Sequence, residues 1–195
     1  MGRRLGRKRL YSLDKKGQSF SGSVGVGATG SLVQYTSHRD GQMIITDIVV
    51  DLGSSKGAWS MPGTKRLVLG HSSSAAGADT SQPSHLGLVD NKQNGVVTLV
   101  ELTCLQQPAG GDRRLELQYA SAATKDYSGS AGTHLMSPGN LTIGSSSQVE
   151  VDNNALDGNY LYLGRALATN GSTAAAYTAG KIHIRLHGHA VPDDK

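Results

Sequence analysis

The sequence predicts an all-β protein: an antiparallel β-sandwich of jelly-roll-like arrangement, or a β-barrel, with an extended basic N-terminal arm. Several segments alternate apolar and polar residues with a period of two, which is typical of strands that bury one face. Turns rich in Gly, Asn and Asp separate these segments at fairly regular intervals. No segment has a sustained helical period with capping residues. The arm is indicated by seven basic residues among the first 16.

Charge is divided unevenly along the 195-residue chain. The first 16 residues have a net charge of +6, whereas the rest of the chain, with 12 basic and 14 acidic residues, has a net charge of −2. Residues 17–31 read GQSFSGSVGVGATGS, a Gly/Ser-rich composition typical of a flexible linker or an extended strap. The sequence therefore predicts two parts, an arm with its strap at 1–31 and a single β domain at 32–195.

The clearest predicted strand is QMIITDIVVDL, residues 42–52. Ile44, Ile48, Val50 and Leu52 share one face with Thr46, and β-branched residues favour strands. The segment GVVTLVELTCL places Val96, Val100, Leu102 and Cys104 on one side, and RLELQYA sets Leu115, Leu117 and Tyr119 against Arg114, Glu116 and Gln118. Shorter candidates are NLTIG, QVEV and YLYLGRAL. The Ser/Gly/Ala-rich stretch 53–85 is predicted to be a long surface loop with one short strand at 65–70, and Trp59 is expected to be a packing anchor in it.

The last predicted strand, KIHIRLHGHAV, alternates most cleanly. Ile182, Ile184 and Leu186 point one way, which leaves Lys181, His183, Arg185 and His187 on a wet face. His183, His187 and His189 would share this face, and His187 with His189 could share a metal ion. Cationic neighbours oppose metal binding by Coulomb repulsion, so we expect an exposed polar face without a metal.

Other motifs do not point to a catalytic site or a cofactor. The spacing Gly25-x-Gly27-x-x-Gly30 matches a dinucleotide-binding fingerprint, but a Ser/Gly string stands where a buried strand is required. There is no G-x-S-x-G nucleophile motif and no P-loop lysine. No apolar stretch approaches the ~18 residues that a membrane span needs. We therefore expect a protein that is not an enzyme, with no catalytic residues, no cofactor, no metal and no membrane partner.

The arm combines charge with apolar residues. Its positive charges suit an acidic protein surface or nucleic-acid phosphates, to which Arg binds well. Interleaved apolar side chains favour docking on a protein, because they offset the roughly 1–2 kcal/mol per residue that ordering a backbone costs. The predicted contact residues are Arg3, Arg4, Arg7, Lys8, Arg9, Lys15 and Lys16, and the predicted anchors are Leu5, Leu10, Tyr11 and Leu13.

The opening GRRLGRKRLYSLDKKG, the strap, the segment TDIVVDLGSS and the ending AAYTAGKIHIRLHGHAVPDD resemble virion structural proteins of tailed bacteriophages, especially marine, cyanophage-like ones. The resemblance implies a component of the virion that is not an enzyme. A β-rich body with an extended arm is similar to head decoration, or cement, proteins, which sit on the capsid exterior, often as trimers. The resemblance assigns no role to any single residue.

The expected function is that of a capsid decoration protein, located in the virion. Its arm would bind the major capsid protein, and its body would self-associate, with a homotrimer as the expected oligomer. Exposed edge strands favour such association. Two alternatives stay open: a capsid-forming jelly roll whose arm binds nucleic acid, and a tail or fibre protein that binds a receptor.

Overall fold

The computed structural model describes residues 33–54, 57–63, 66–71, 84–123, 132–166 and 175–190. The arm and strap predicted at 1–31 lie outside the described residues, so the assignments of their basic and apolar side chains stay predictions. Among the described residues, no helix is both long and apolar enough to cross a membrane. The elements in chain order are β1 (Val33–Asp40), β2 (Met43–Asp51), β3 (Gly53–Ser54), β4 (Gly57–Met61), β5 (Gly70–His71), β6 (Gly87–Val89), α1 (Asn91–Asn94), β7 (Val96–Ala109), β8 (Leu115–Ala120), β9 (Thr133–Met136), β10 (Ser146–Glu150), β11 (Asn159–Arg165), β12 (Ala175–Ala176) and β13 (Ala179–His189).

The strands form two main antiparallel sheets that share one core. The first sheet has the order β1-β2-β13-β7-β10, and the second has the order β6-β11-β8-β9. Strands β12, β4 and β3 make a small third sheet, in which β5 also pairs with β4. Ile48 and Ile184 of the first sheet belong to the same buried cluster as Leu117 and Leu163 of the second. The predicted all-β fold is confirmed, and the sandwich is the form that it takes.

The strand pairing is that of a jelly roll. Eight strands are nested in pairs, first with last, second with seventh, third with sixth and fourth with fifth. These pairs are β2 with β13, β6 with β11, β7 with β10, and β8 with β9. β1 extends the first sheet beyond β2 as an edge strand. This nesting places the last strand, β13, in the middle of the first sheet, between β2 and β7.

β2 and β13 form as their alternation predicts. Every second residue of each strand is buried, so one face of each strand lies in the core. Ile184 lies opposite Ile48 on one side and Leu102 on the other, and all three are fully buried. Burying one such side chain contributes roughly 1.5–3 kcal/mol, so this row stabilises the packing of the sheet on the core.

The prediction that Val96 lies in the core at the start of β7 is wrong. Val97, not Val96, is the residue buried at its start. The reason is an irregularity in the pairing with β13, where His187 faces Leu99 but Gly188 faces Val97. The additional residue, Thr98, shifts the alternation by one, as a β-bulge does.

The prediction that residues 53–85 form a single long surface loop is wrong. Residues 57–61 form β4, and Trp59 is fully buried in the core cluster. The backbone N–H of Trp59 donates to the Leu52 carbonyl, and the Trp59 carbonyl accepts from the backbone N–H of Tyr177. In place of the strand predicted at 65–70, the structure has an isolated β-bridge between Val68 and Gly164, and β5 begins only at Gly70. The large indole accounts for this structure, because burying an aromatic ring stabilises the elements that cover it.

Two buried polar clusters link separate elements of the body. Asn94 Nδ2 of α1 donates to Tyr35 Oη at 2.6 Å and to Thr46 Oγ1 at 2.8 Å, which joins the helix to the first sheet. At another point Arg165, which is buried, donates to the carbonyls of Pro62 and Gly63. These bonds satisfy polar groups that would be costly to leave unpaired in the interior.

Candidate functional site

The outer face of the first sheet, the side that points away from the core, carries the histidines singled out in the sequence. β13 contributes Lys181, His183, Arg185 and His187, each between a β2 residue and a β7 residue. β2 contributes Asp47 and Asp51, and β7 contributes Glu101 and Thr103. The alternation within each strand aims these side chains to one side, and the central position of β13 brings acidic neighbours to it from both flanks.

Asp47 is the centre of the first group on the outer face. Its Oδ1 accepts from Arg185 Nε at 2.8 Å and lies 2.7 Å from His183 Nε2. Partial burial alone would raise the pKa of Asp47, but the hydrogen bonds and charges of Arg185 and His183 outweigh it and lower the pKa below its ordinary value. The carboxylate is therefore held ionised by two partners on one strand.

Glu101 provides a second acceptor on the opposite flank. Its Oε2 lies 3.0 Å from His187 Nε2, and Arg185 faces both Glu101 and Asp47 in the strand register. A third pair joins Lys181 Nζ and Asp51 Oδ2 at 3.7 Å. Acidic and basic groups thus alternate across β2, β13 and β7, an arrangement that cross-strand pairing favours.

The outer face is not arranged to hold a metal ion. His183 and His187 are engaged by different carboxylates, on β2 and on β7. Within the ranges that the structure describes, there is no group of three or more His, Cys, Asp or Glu residues that could hold a metal. The prediction that Lys181, His183, Arg185 and His187 share one face is confirmed by the burial alternation of β13, which also places His189 there.

Sequence reasoning missed that Asp47 and Glu101 pair with these residues. The alternation places Asp47 on the polar side of β2, but it does not reveal which strand lies next to β2. The signal available was the match of acidic residues in two strands to basic residues in a third. Such paired, partly exposed charges present donors and acceptors at fixed positions on the outer face.

β1, the first described strand, lies at the edge of this same sheet. Val33 begins β1, is buried opposite Val50, and lies at the end of β1 remote from the turn at Gly41. The seven basic residues of the arm precede it in the sequence.

Comparison of the chain with protein-family models, with curated proteins and with solved structures finds no match.

Proposed function

We propose that this protein is a structural component of a virion without enzymatic activity, and that it is a head decoration protein. Residues 1–16 bind acidic surfaces of the major capsid protein, and the jelly-roll body stabilises the shell as a homo-oligomer, with a trimer as the expected form. The observation that carries the proposal is the charge division, because a segment of net charge +6 precedes a body of net charge −2.

Three further features support the proposal. The resemblance to phage virion proteins that the two ends of the sequence suggest implies a virion component of this kind. The jelly-roll order of the body is an architecture that recurs in viral capsid domains. The outer face of the first sheet presents alternating charges, which favour specific docking over non-specific adhesion.

Attachment of purified protein to empty heads tests the proposal. We expect full-length protein to bind and a variant lacking residues 1–16 to lose binding. Two matched variants of the full chain separate the contributions: Arg3, Arg4, Arg7, Lys8 and Arg9 changed to Gln, or Leu5, Leu10 and Leu13 changed to Ser. Both should weaken attachment, the first in a salt-dependent manner. Undiminished binding by the truncated variant would refute the proposal.

A second candidate function is a shell-forming protein whose arm neutralises packaged nucleic acid. The jelly-roll strand order favours it, because such domains build viral capsids. Release of counterions from ~6 phosphates would make nucleic-acid affinity fall steeply with salt. A steep log–log salt slope for the full chain that disappears without residues 1–16 would favour this candidate, and salt-insensitive or absent binding would favour decoration.

A further inference from the structure

The second sheet buries a carboxyl group on the face that points away from the core. In β8, Leu115 and Leu117 face the core, as the alternation predicts. The opposite face, expected to be polar and solvated, is also buried: Glu116 is 2% exposed and Gln118 is 1% exposed. A buried carboxyl group needs hydrogen-bond partners or must become neutral.

Glu116 and Gln118 contact each other through their side chains. Gln118 Nε2 donates to Glu116 Oε1. Gly164 on β11 lies opposite Glu116, and a Cβ at Gly164 would overlap the Gln118 amide nitrogen. The absence of a side chain at Gly164 therefore makes the space in which the pair forms.

One atom of this pair has no partner. Gln118 Oε1 is buried and accepts no hydrogen bond within the part of the chain that the structure describes. An ionised carboxylate cannot supply one, because it only accepts hydrogen bonds. A neutral carboxylic acid carries an O–H, and the terminal torsions of Glu and Gln rotate over broad ranges. The neutral form can thus donate O–H to Oε1 while its other oxygen accepts from Nε2.

We propose that Glu116 is held as a neutral carboxylic acid paired with the Gln118 amide, and that loss of its proton with rising pH is a switch that weakens the second sheet. The pair would then have two hydrogen bonds and no buried charge. β8 lies between β11 and β9, so a charge that appears at Glu116 acts on both neighbouring strands. This inference concerns the body alone and does not depend on the proposed function of the arm.

The positively charged groups near Glu116 lower its pKa by less than burial raises it. His134 Nε2 on β9 lies 3.9 Å from Glu116 Oε2, and the His134 side chain is half exposed. Burial raises the pKa of Glu116, whereas the Gln118 hydrogen bond and the charges of His134 and Arg66 lower it, and burial prevails. On β11, Tyr162 lies opposite Gln118 and donates its hydroxyl proton to the Ala122 carbonyl.

The sign of the pH effect follows from the raised pKa. The folded protein binds this proton more tightly than the unfolded chain does, so the stabilisation is fully present below the ordinary pKa of 4.5. It is lost as pH rises through the pKa of the folded state.

Carboxyl NMR of the full-length protein, with the Glu116 resonance assigned through bonds, tests the inference directly. We expect Glu116 to titrate above 4.5. Titration at or below this value would overturn the proposal. This measurement needs no variant and is independent of virion attachment.

Urea unfolding of Glu116→Gln over a pH series is the second test. Gln at this position retains both hydrogen bonds without a charge, so the variant should lose less stability than the wild type between mildly acidic and alkaline pH. Glu150→Gln, at an exposed position of β10, is the matched control and should leave the wild-type profile unchanged. Parallel profiles for wild type and Glu116→Gln would contradict the inference.

Discussion

Arg185 on β13 donates through Nε to Asp47 Oδ1 on β2 at 2.8 Å, although 138 residues separate the two in the sequence. The same carboxylate oxygen lies 2.7 Å from His183 Nε2. One acidic residue of the second strand thus engages two residues of the last. The contact exists because the jelly-roll order inserts β13 beside β2.

This relationship predicts an acid-sensitive contribution to stability. Asp47→Asn should lower the free energy of unfolding by about 0.5–1 kcal/mol at neutral pH, as partly exposed ion pairs do. The pKa of Asp47 is lowered in the fold, so its contribution is present above the ordinary value of 3.8 and is lost as pH falls through the pKa of the folded state. Urea unfolding over a pH series measures the difference, which should vanish in acid. A difference that stays constant down to the most acidic pH would contradict this assignment.

The core row of the first sheet predicts a strong contrast between neighbouring positions. Ile184→Ala should destabilise the protein by about 2–5 kcal/mol, because it opens a cavity between Ile48 and Leu102. Ile45→Ala is the matched control, since Ile45 points to the partly exposed outer face of β2 and should cost far less. Equal losses in thermal or urea unfolding would show that the two faces are assigned wrongly.

The Asn94 network predicts a cost for removing a small polar group. Asn94→Ala should destabilise the body by about 1–3 kcal/mol, because Tyr35 Oη and Thr46 Oγ1 lose a buried donor. Lys92→Ala, at an exposed position of the same helix, should be nearly neutral. Urea unfolding provides the comparison, and a neutral Asn94→Ala would show that the network adds nothing to stability.

A tyrosine titration checks the same site independently. Burial raises the pKa of Tyr35 to about 12, although the hydrogen bond with Asn94 opposes the shift. Spectrophotometric titration should therefore show phenols that ionise well above the ordinary value of 10.0, and the Tyr35→Phe variant should lose one of them, while Tyr177, whose pKa is also raised by burial, still ionises late. If Tyr35→Phe instead removes an early step, Tyr35 is not buried as described.

Arg165 predicts a large effect from a single buried cation. Arg165→Met should destabilise by about 1–3 kcal/mol, since the Pro62 and Gly63 carbonyls lose a buried donor. Arg113→Met is the matched control, because Arg113 is exposed. Thermal unfolding of both variants measures the effect. Comparable losses of stability in the two variants would show that the buried hydrogen bonds of Arg165 contribute no more than an exposed arginine does.

The sequence by itself determined the class of the fold and much of its core. Period-two alternation is a local property, since successive side chains of a strand point to opposite sides wherever the strand lies. It therefore identified Ile48, Val50, Ile182, Ile184 and Leu186 as core residues, and all five are fully buried. For the same reason it placed His183 and His187 together on one face of β13.

Only the tertiary structure decided which strands are neighbours and which faces are covered. The partners of Arg185 depend on β13 lying between β2 and β7, and the burial of Val97 depends on a bulge in that pairing. Alternation in β8 gave no sign that the face bearing Glu116 would be buried as deeply as the leucines. The physical reason is that strand pairing and sheet covering are contacts between residues distant in sequence, and a pattern within one strand carries no information about what packs against it.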